Sequence, residues 1–284
     1  MDTPSPPPTS PLAASPLAAS AFAAPFLAPD EPPAVTVVNP NGAAPVVLLC
    51  EHASRRVPMR LAGLGVPAAD MDRHIAWDIG AEAVTRALAR RLDAPAVIAG
   101  YSRLVVDLNR PLDSPTLMPA VSDGTPILAN QTLTEPDRQA RLDALFHPFH
   151  AAARACVAAK RAAGQVPAII SIHSFTPVMD GFQRPWHLGV LWDQDGRLPL
   201  PLLDLLRTLP GVVVGDNVPY SGRDGHGYTL KTHSTQPGLP GVLVEVRQDL
   251  IGEADGVERW STLLAQALGQ LIGRADIHHV LAGA

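Results

Sequence analysis

VVLLC, residues 46–50, is an unbroken apolar run of strand length that leads directly into Glu51 and His52. With no polar residue alternating through it, the run describes a strand buried on both faces, as in a parallel sheet. DIGAEAVTRALARRLDAP (78–95) then reads as an amphipathic helix ending before a proline, AVIAG (96–100) as a second strand and RLVVDL (103–108) as a third. Residues 134–164 read as one long helix, with Thr134 as N-cap, Pro136 in the first turn and Gly164 at the stop. PAIISIHS (167–174), HLGVLW (187–192), GVVVGD (211–216) and GVLVEV (241–246) add strands, with helical patterns at about 199–209 and 256–273. Strands alternating with helices predict an α/β fold with a mainly parallel sheet.

The surrounding composition sets limits. A chain of 284 residues, 46% hydrophobic, is long enough to bury one large α/β core. Its net charge of −5 gives no basic face for a nucleic acid. No apolar run approaches the roughly 20 residues of a membrane span. Cys50 and Cys156 are too few for a disulfide framework or a cysteine-rich zinc site, which suits a reducing compartment. Residues 1–34, dominated by Pro, Ala and Ser, predict a disordered tail ahead of a single domain over 35–284. A signal peptide needs a basic start, and no Lys or Arg precedes Arg55, so a cytoplasmic protein is expected.

In open α/β sheets, sites form outside the carboxyl ends of the strands. Here those ends carry Glu51-His52, Asp107-Leu108-Asn109-Arg110, His173-Ser174, and Glu245 with Arg247. Two histidines and several carboxylates at separate strand ends suit one metal ion, and zinc takes such nitrogen and oxygen donors. A further carboxylate would serve as general base, and arginines would hold an anionic substrate. On a regular strand Glu51 and His52 face opposite ways, so one is expected to point away from the metal. His147 and His150, three residues apart beside Phe146 and Phe149, read as a packed helix edge. A cysteine hydrolase using Cys50 is a weaker alternative, because a buried strand thiol is inert. The signatures of dinucleotide, P-loop, nucleophile-elbow and HExxH enzymes are missing from the sequence.

CEHASRRVP (50–58), RHIAWDIGA (73–81), YSRLVVDLNRP (101–111), SIHSFTP (171–177), RPWHLGVLW (184–192), GYTLKTH (227–233) and EVRQDL (245–250) occur in that order. Together they resemble the N-formylglutamate amidohydrolase family, in its broader branch, over about residues 45–275. The resemblance implies a three-layer, mixed and mainly parallel sheet flanked by helices, similar to zinc-dependent exopeptidases and aspartoacylase-like deacylases. Those relatives carry a His-x-x-Glu zinc motif, a later strand-end His, an Asn-Arg pair and a Glu base. By that likeness His52 and His173 are metal ligands, Glu245 is the base and Arg103 polarises the scissile carbonyl. Asn109 and Arg110 hold the substrate carboxylate, with Arg247 assisting, and Tyr228 and His233 close over the site from their loop.

The chain departs from this pattern at Arg55, where the motif needs Glu. Asp78 is the expected replacement ligand, with Glu51 second and a helix N-cap as the plain alternative role for Asp78. The implied cofactor is one zinc ion per chain, and the implied substrate is a small anionic N-acyl amino acid. The implied reaction converts N-formyl-L-glutamate to formate and L-glutamate in a monomer or small homo-oligomer. Another N-acyl amino acid, a small peptide, or a non-catalytic module with a defective metal site stay open as alternatives.

Overall fold

The computed structural model describes residues 25–224 and 227–281. Seven strands form its main sheet: β1 (Val35–Val38), β2 (Val46–Cys50), β3 (Ala96–Ala99), β4 (Ala168–Phe175), β5 (Leu188–Leu191), β6 (Val214–Asp216) and β7 (Gly241–Arg247). Their order across the sheet is β1-β3-β2-β4-β7-β5-β6. The central strands β3, β2, β4 and β7 run parallel. At one edge β1 is antiparallel to β3, and on the other side β5 is antiparallel to β7. The mainly parallel α/β architecture is therefore as expected.

Every residue of β2 and β4 is buried, because both faces of the sheet are covered. Alternate positions divide between two cores. Val46, Leu48, Ile170 and Val244 meet helices α1 (Ala81–Leu92), α3 (Pro199–Arg207) and α4 (Ala254–Leu271) on one face. Val47, Leu49 and Ile169 meet Phe149 and Ala153 of α2 (His147–Ala162) on the other. Burial of each such side chain contributes about 1.5–3 kcal/mol, the largest favourable effect in the fold.

Three expectations change. Residues 103–108 are not a strand but a run of tight turns, closed by Val105 N–H to Ser102 O at 3.0 Å and Arg110 N–H to Asp107 O at 3.2 Å. Leu104, Val105, Val106 and Leu108 are all buried in the α2-side core, so an apolar run here reports burial without strand geometry. The long helix over 134–164 is α-helical at Glu135–Arg141, passes through a wide turn at Leu142–Phe146, and resumes as α2. Its start is as expected, with the Thr134 hydroxyl accepting from Asp137 N–H at 3.3 Å. The tail boundary also moves. Residues 1–24 lie outside the described residues, but Phe26 and Leu27 pack on the α2-side core and Tyr101 Oη donates to Pro32 O at 2.7 Å. That stretch gains partners the composition alone does not reveal.

Candidate active site

Strand β2 stops at Cys50, and Glu51 and His52 sit in the turn that follows. Leaving the strand breaks the period-two alternation, so the two do not diverge as expected: both side chains reach the His173 region. His173 lies near the end of β4 and pairs in register with Glu245 on β7. Asp78 is brought to them by a turn whose backbone N–H donates to His52 O at 2.9 Å. Gly80, at φ 81°, completes that turn and is itself the residue before α1. Asp78 does not cap the helix with its carboxylate. Its Oδ2 instead lies 2.7 Å from His173 Nδ1 and 3.4 Å from His52 Nδ1.

His52, Asp78 and His173 are all buried, and one donor atom from each lies within 4.8 Å of the others. The remaining hydrogen bonds assign the donors. His52 Nε2 is 2.7 Å from Asp107 Oδ1, so its proton faces that carboxylate and Nδ1 keeps a bare lone pair. That Nδ1 is buried and has no hydrogen-bond partner among the described residues. Behind His173, Glu51 Oε2 lies 3.1 Å from Nε2 and accepts from the Ser171 hydroxyl at 2.7 Å. Two imidazoles and a carboxylate around an orphaned nitrogen, each imidazole backed by an outer carboxylate, match the donor chemistry of a divalent metal site.

Charge coupling inside this cluster is strong. Burial alone would raise the carboxyl pKa values, but the imidazoles of His52 and His173 hold Asp78 well below the usual range. His173 similarly pulls Glu51 down to about 2 against the opposing effect of burial. Glu245 differs: burial dominates and pushes it up to about 7, with His173 only partly opposing. Its Oε2 is buried without a hydrogen-bond partner among the described residues, and the residue lines a cavity of about 440 Å³. A carboxylate poised near neutrality in a cleft suits proton transfer.

Arg103 joins the same cavity wall. Its guanidinium donates twice to Asp107 Oδ2, at 3.1 and 2.7 Å, and Nη1 approaches Asp78 Oδ1 at 3.5 Å. Asp107 thus bridges the arginine and His52. In the sequence this residue counts only as one of several strand-end carboxylates, and the turned backbone of 103–110 reveals which way it faces. Asn109 and Arg110 line the cavity too, and Asn109 Oδ1 accepts from Thr229 N–H at 3.0 Å.

The structure places the other expected substrate contacts elsewhere. His233 is buried against His150, with His233 Nε2 2.9 Å from His150 Nδ1, and does not line the cavity. Since His150 Nε2 donates to Leu108 O at 3.0 Å, the shared hydrogen bond runs from His233 to His150. Tyr228 packs edge-on to His150, 5.4 Å between ring centroids, also behind the wall. Arg247 pairs with Asp249 and donates to the carbonyls of Arg184 and Trp186 at 3.2 and 3.4 Å. Arg55 is exposed, paired with Asp72 and stacked over Trp77, and takes no part in the site. The Cys50 thiol is fully buried, and burial raises its pKa, which removes it as a nucleophile. Thr176 and Tyr220, which the sequence reading does not single out, do line the cavity.

The N-formylglutamate amidohydrolase family matches residues 44–252. The crystal structure of gene product Atu2144 from Agrobacterium tumefaciens is 38% identical, covering 87% of this chain and 98% of that one, with a TM-score of 0.84. The structure of an N-formylglutamate amidohydrolase from Ralstonia eutropha JMP134 covers 84% of this chain and 97% of its own, with a TM-score of 0.60. At 20% identity, that second likeness is one of fold. No curated protein matches the chain. The family match spans the turn after β2, the Asp78 turn, the DLNR turns and the ends of β4 and β7, and so the chain belongs to the N-formylglutamate amidohydrolase family.

Proposed function

We propose that this chain is a cytoplasmic, zinc-dependent amidohydrolase that converts N-formyl-L-glutamate, or a close N-acyl amino acid, to the free acid and amine. The observation that carries the reading is the buried His52–Asp78–His173 donor set with Glu245 beside it in the same cavity. Zinc held by these three residues supplies Lewis acidity, which lowers the pKa of water at the site. Glu245 accepts the proton of the attacking water and later gives it to the leaving amine nitrogen. A carbon–oxygen bond forms at the acyl carbon and the carbon–nitrogen bond breaks. Arg103, held rigid by Asp107, donates to the carbonyl oxygen as negative charge develops there. Asn109 and Arg110 receive the α-carboxylate through charge-assisted hydrogen bonds.

Metal content and turnover test this together. Protein purified without a histidine tag is expected to carry about one zinc per chain by mass spectrometry. It should release formate from N-formyl-L-glutamate, lose that activity to a chelator and regain it with zinc. Protein that takes up no metal when zinc is supplied, or turns over equally well in chelator, contradicts the reading.

A further inference from the structure

Arg184 follows a short hairpin, Val178–Met179 paired with Phe182–Gln183, at the rim of the cavity. It is only 7% exposed, and among the described residues it forms no ion pair with a carboxylate. Its Nη1 donates to Thr176 O and Oγ1 at 3.3 and 3.0 Å, and its Nη2 to Tyr220 Oη at 3.3 Å. The guanidinium also lies over the rings of Phe175 and Tyr220, at 5.8 and 5.0 Å. Its backbone is pinned on both sides, by Arg184 N–H to Pro177 O at 2.8 Å and by Arg247 to Arg184 O at 3.2 Å.

Two consequences follow from donor chemistry. Guanidinium is donor-only, so Thr176 Oγ1 and Tyr220 Oη both act as acceptors toward Arg184. Thr176 Oγ1 therefore keeps its own proton to donate in another direction, and both residues line the cavity. The wall there presents two hydroxyl groups backed by a buried cation, an arrangement that favours an anion over water or a neutral amide. Arg141 is also buried without a carboxylate ion pair among the described residues, but it bonds Val105 O and Asn130 Oδ1, and it does not line the cavity. Beside Tyr220 pack Leu191 and Leu243, which line the same cavity and offer an apolar surface.

We infer that Thr176, Tyr220 and Arg184 form the acceptor for the side-chain carboxylate of a dicarboxylic N-acyl amino acid, whose methylenes lie against Leu191 and Leu243. Thr176 and Tyr220 touch the carboxylate, and Arg184 acts through them as a positioning residue. This inference rests on the amidohydrolase reading, and it assigns the two substrate carboxylates to separate places: the α-carboxylate to Asn109 and Arg110, the distal one here.

The test compares N-formyl-L-glutamate with N-formyl-L-glutamine, which has the same stem and a neutral end, in the zinc-loaded enzyme. Wild type should favour the glutamate substrate in kcat/KM by about thirtyfold, the range of a lost charge-assisted hydrogen bond. Arg184→Gln should lower kcat/KM for the glutamate substrate by about the same factor, mainly through KM, and change the glutamine substrate by less than about threefold. Tyr220→Phe, which deletes only the hydroxyl, should shift the preference in the same direction and guards against misfolding of the arginine variant. Equal losses on both substrates in both variants, or a wild type indifferent between the two, overturn the inference while leaving amide hydrolysis intact. If wild type turns over neither substrate, calorimetric binding decides: N-formyl-L-glutamate bound by wild type and lost in Arg184→Gln supports the acceptor, and no difference between them refutes it.

Discussion

At the scale of single residues, the site depends as much on the carboxylates behind the imidazoles as on the imidazoles. Asp107 fixes the tautomer of His52 and the position of Arg103 with its two oxygens, 2.7 Å from His52 Nε2 and 2.7 Å from Arg103 Nη2. Asp107→Asn should thus weaken metal affinity about 10–100-fold and reduce turnover further, because one change loosens both His52 and Arg103, the proposed ligand and oxyanion donor. Competitive zinc titration against a chromophoric chelator reads the first effect separately from activity. Glu245→Gln should retain zinc yet lose about 10²–10⁴ of kcat, since it removes the proton acceptor and leaves the donor set alone. His52→Ala should lose the metal. Wild-type turnover in Glu245→Gln would refute the base assignment. Of these residues, His52, His173 and Glu245 are legible in sequence because each is a polar residue interrupting an apolar strand end. Asp107 is legible only as one of several strand-end carboxylates, and Thr176 and Tyr220 are not legible, because all three sit on irregular backbone where no period tells which way a side chain points.

At the scale of elements, the decisive pieces are the turns that carry the strand ends into the cavity. A Cβ on Gly80 would meet Ile251 O at 2.2 Å, at a residue whose φ is 81°. Gly80→Ala combines left-handed backbone strain with a clash against a main-chain atom, a cost of about 3 kcal/mol. A fall of about 6–12 °C in melting temperature is the expected result by calorimetry, with metal affinity lowered as the Asp78 turn shifts. Gly189 plays a related part on β5, where it pairs with Glu245 and a Cβ would meet Val218 O at 2.4 Å. Its missing side chain lets the loop that bears Tyr220 lie close to Glu245. The strands and helices around these turns follow from hydrophobic periodicity. The turn run at 103–110 does not, since a buried apolar loop and a buried strand share one pattern.

At the scale of the whole molecule, the strand order is what assembles the chemistry. β2, β4 and β7 are neighbours in the sheet although about 120 residues separate the first from the second and about 70 the second from the third. Away from the cavity, the His150–His233 pair ties α2 to the segment before β7 and gives the fold a pH response. Burial lowers both imidazoles to about 4, below their ordinary 6.5. The unfolded chain then binds more protons, so this contribution is present above pH 6.5 and is lost as pH falls toward 4. The first proton into the pair costs on the order of 3 kcal/mol. Glu245, raised to about 7, acts in the opposite sense over much of that window, so the pair is isolated by comparison with a variant. His233→Phe should lose less stability than wild type between pH 7.5 and 5, measured by urea denaturation at each pH. A steeper loss in the variant would show that the pair is not buried neutral.

Composition and apolar periodicity were enough to specify a mainly parallel α/β sheet, and the seven ordered motifs were enough to specify the family. Both signals are local, since burial writes a period into each strand and helix, and each motif is a contiguous stretch. Which carboxylate joins the two histidines is not a local matter. Glu51 is adjacent to His52 in the chain, yet Asp78, 26 positions away, shares its space, because β2 ends at Cys50, His52 sits in the turn that follows, and the turn before Gly80 brings Asp78 to it. The same holds for the roles of Arg184, Arg247 and His233. Whether such a side chain meets solvent, a carbonyl or a cavity is set by residues distant in sequence, and only the packed tertiary structure brings those together.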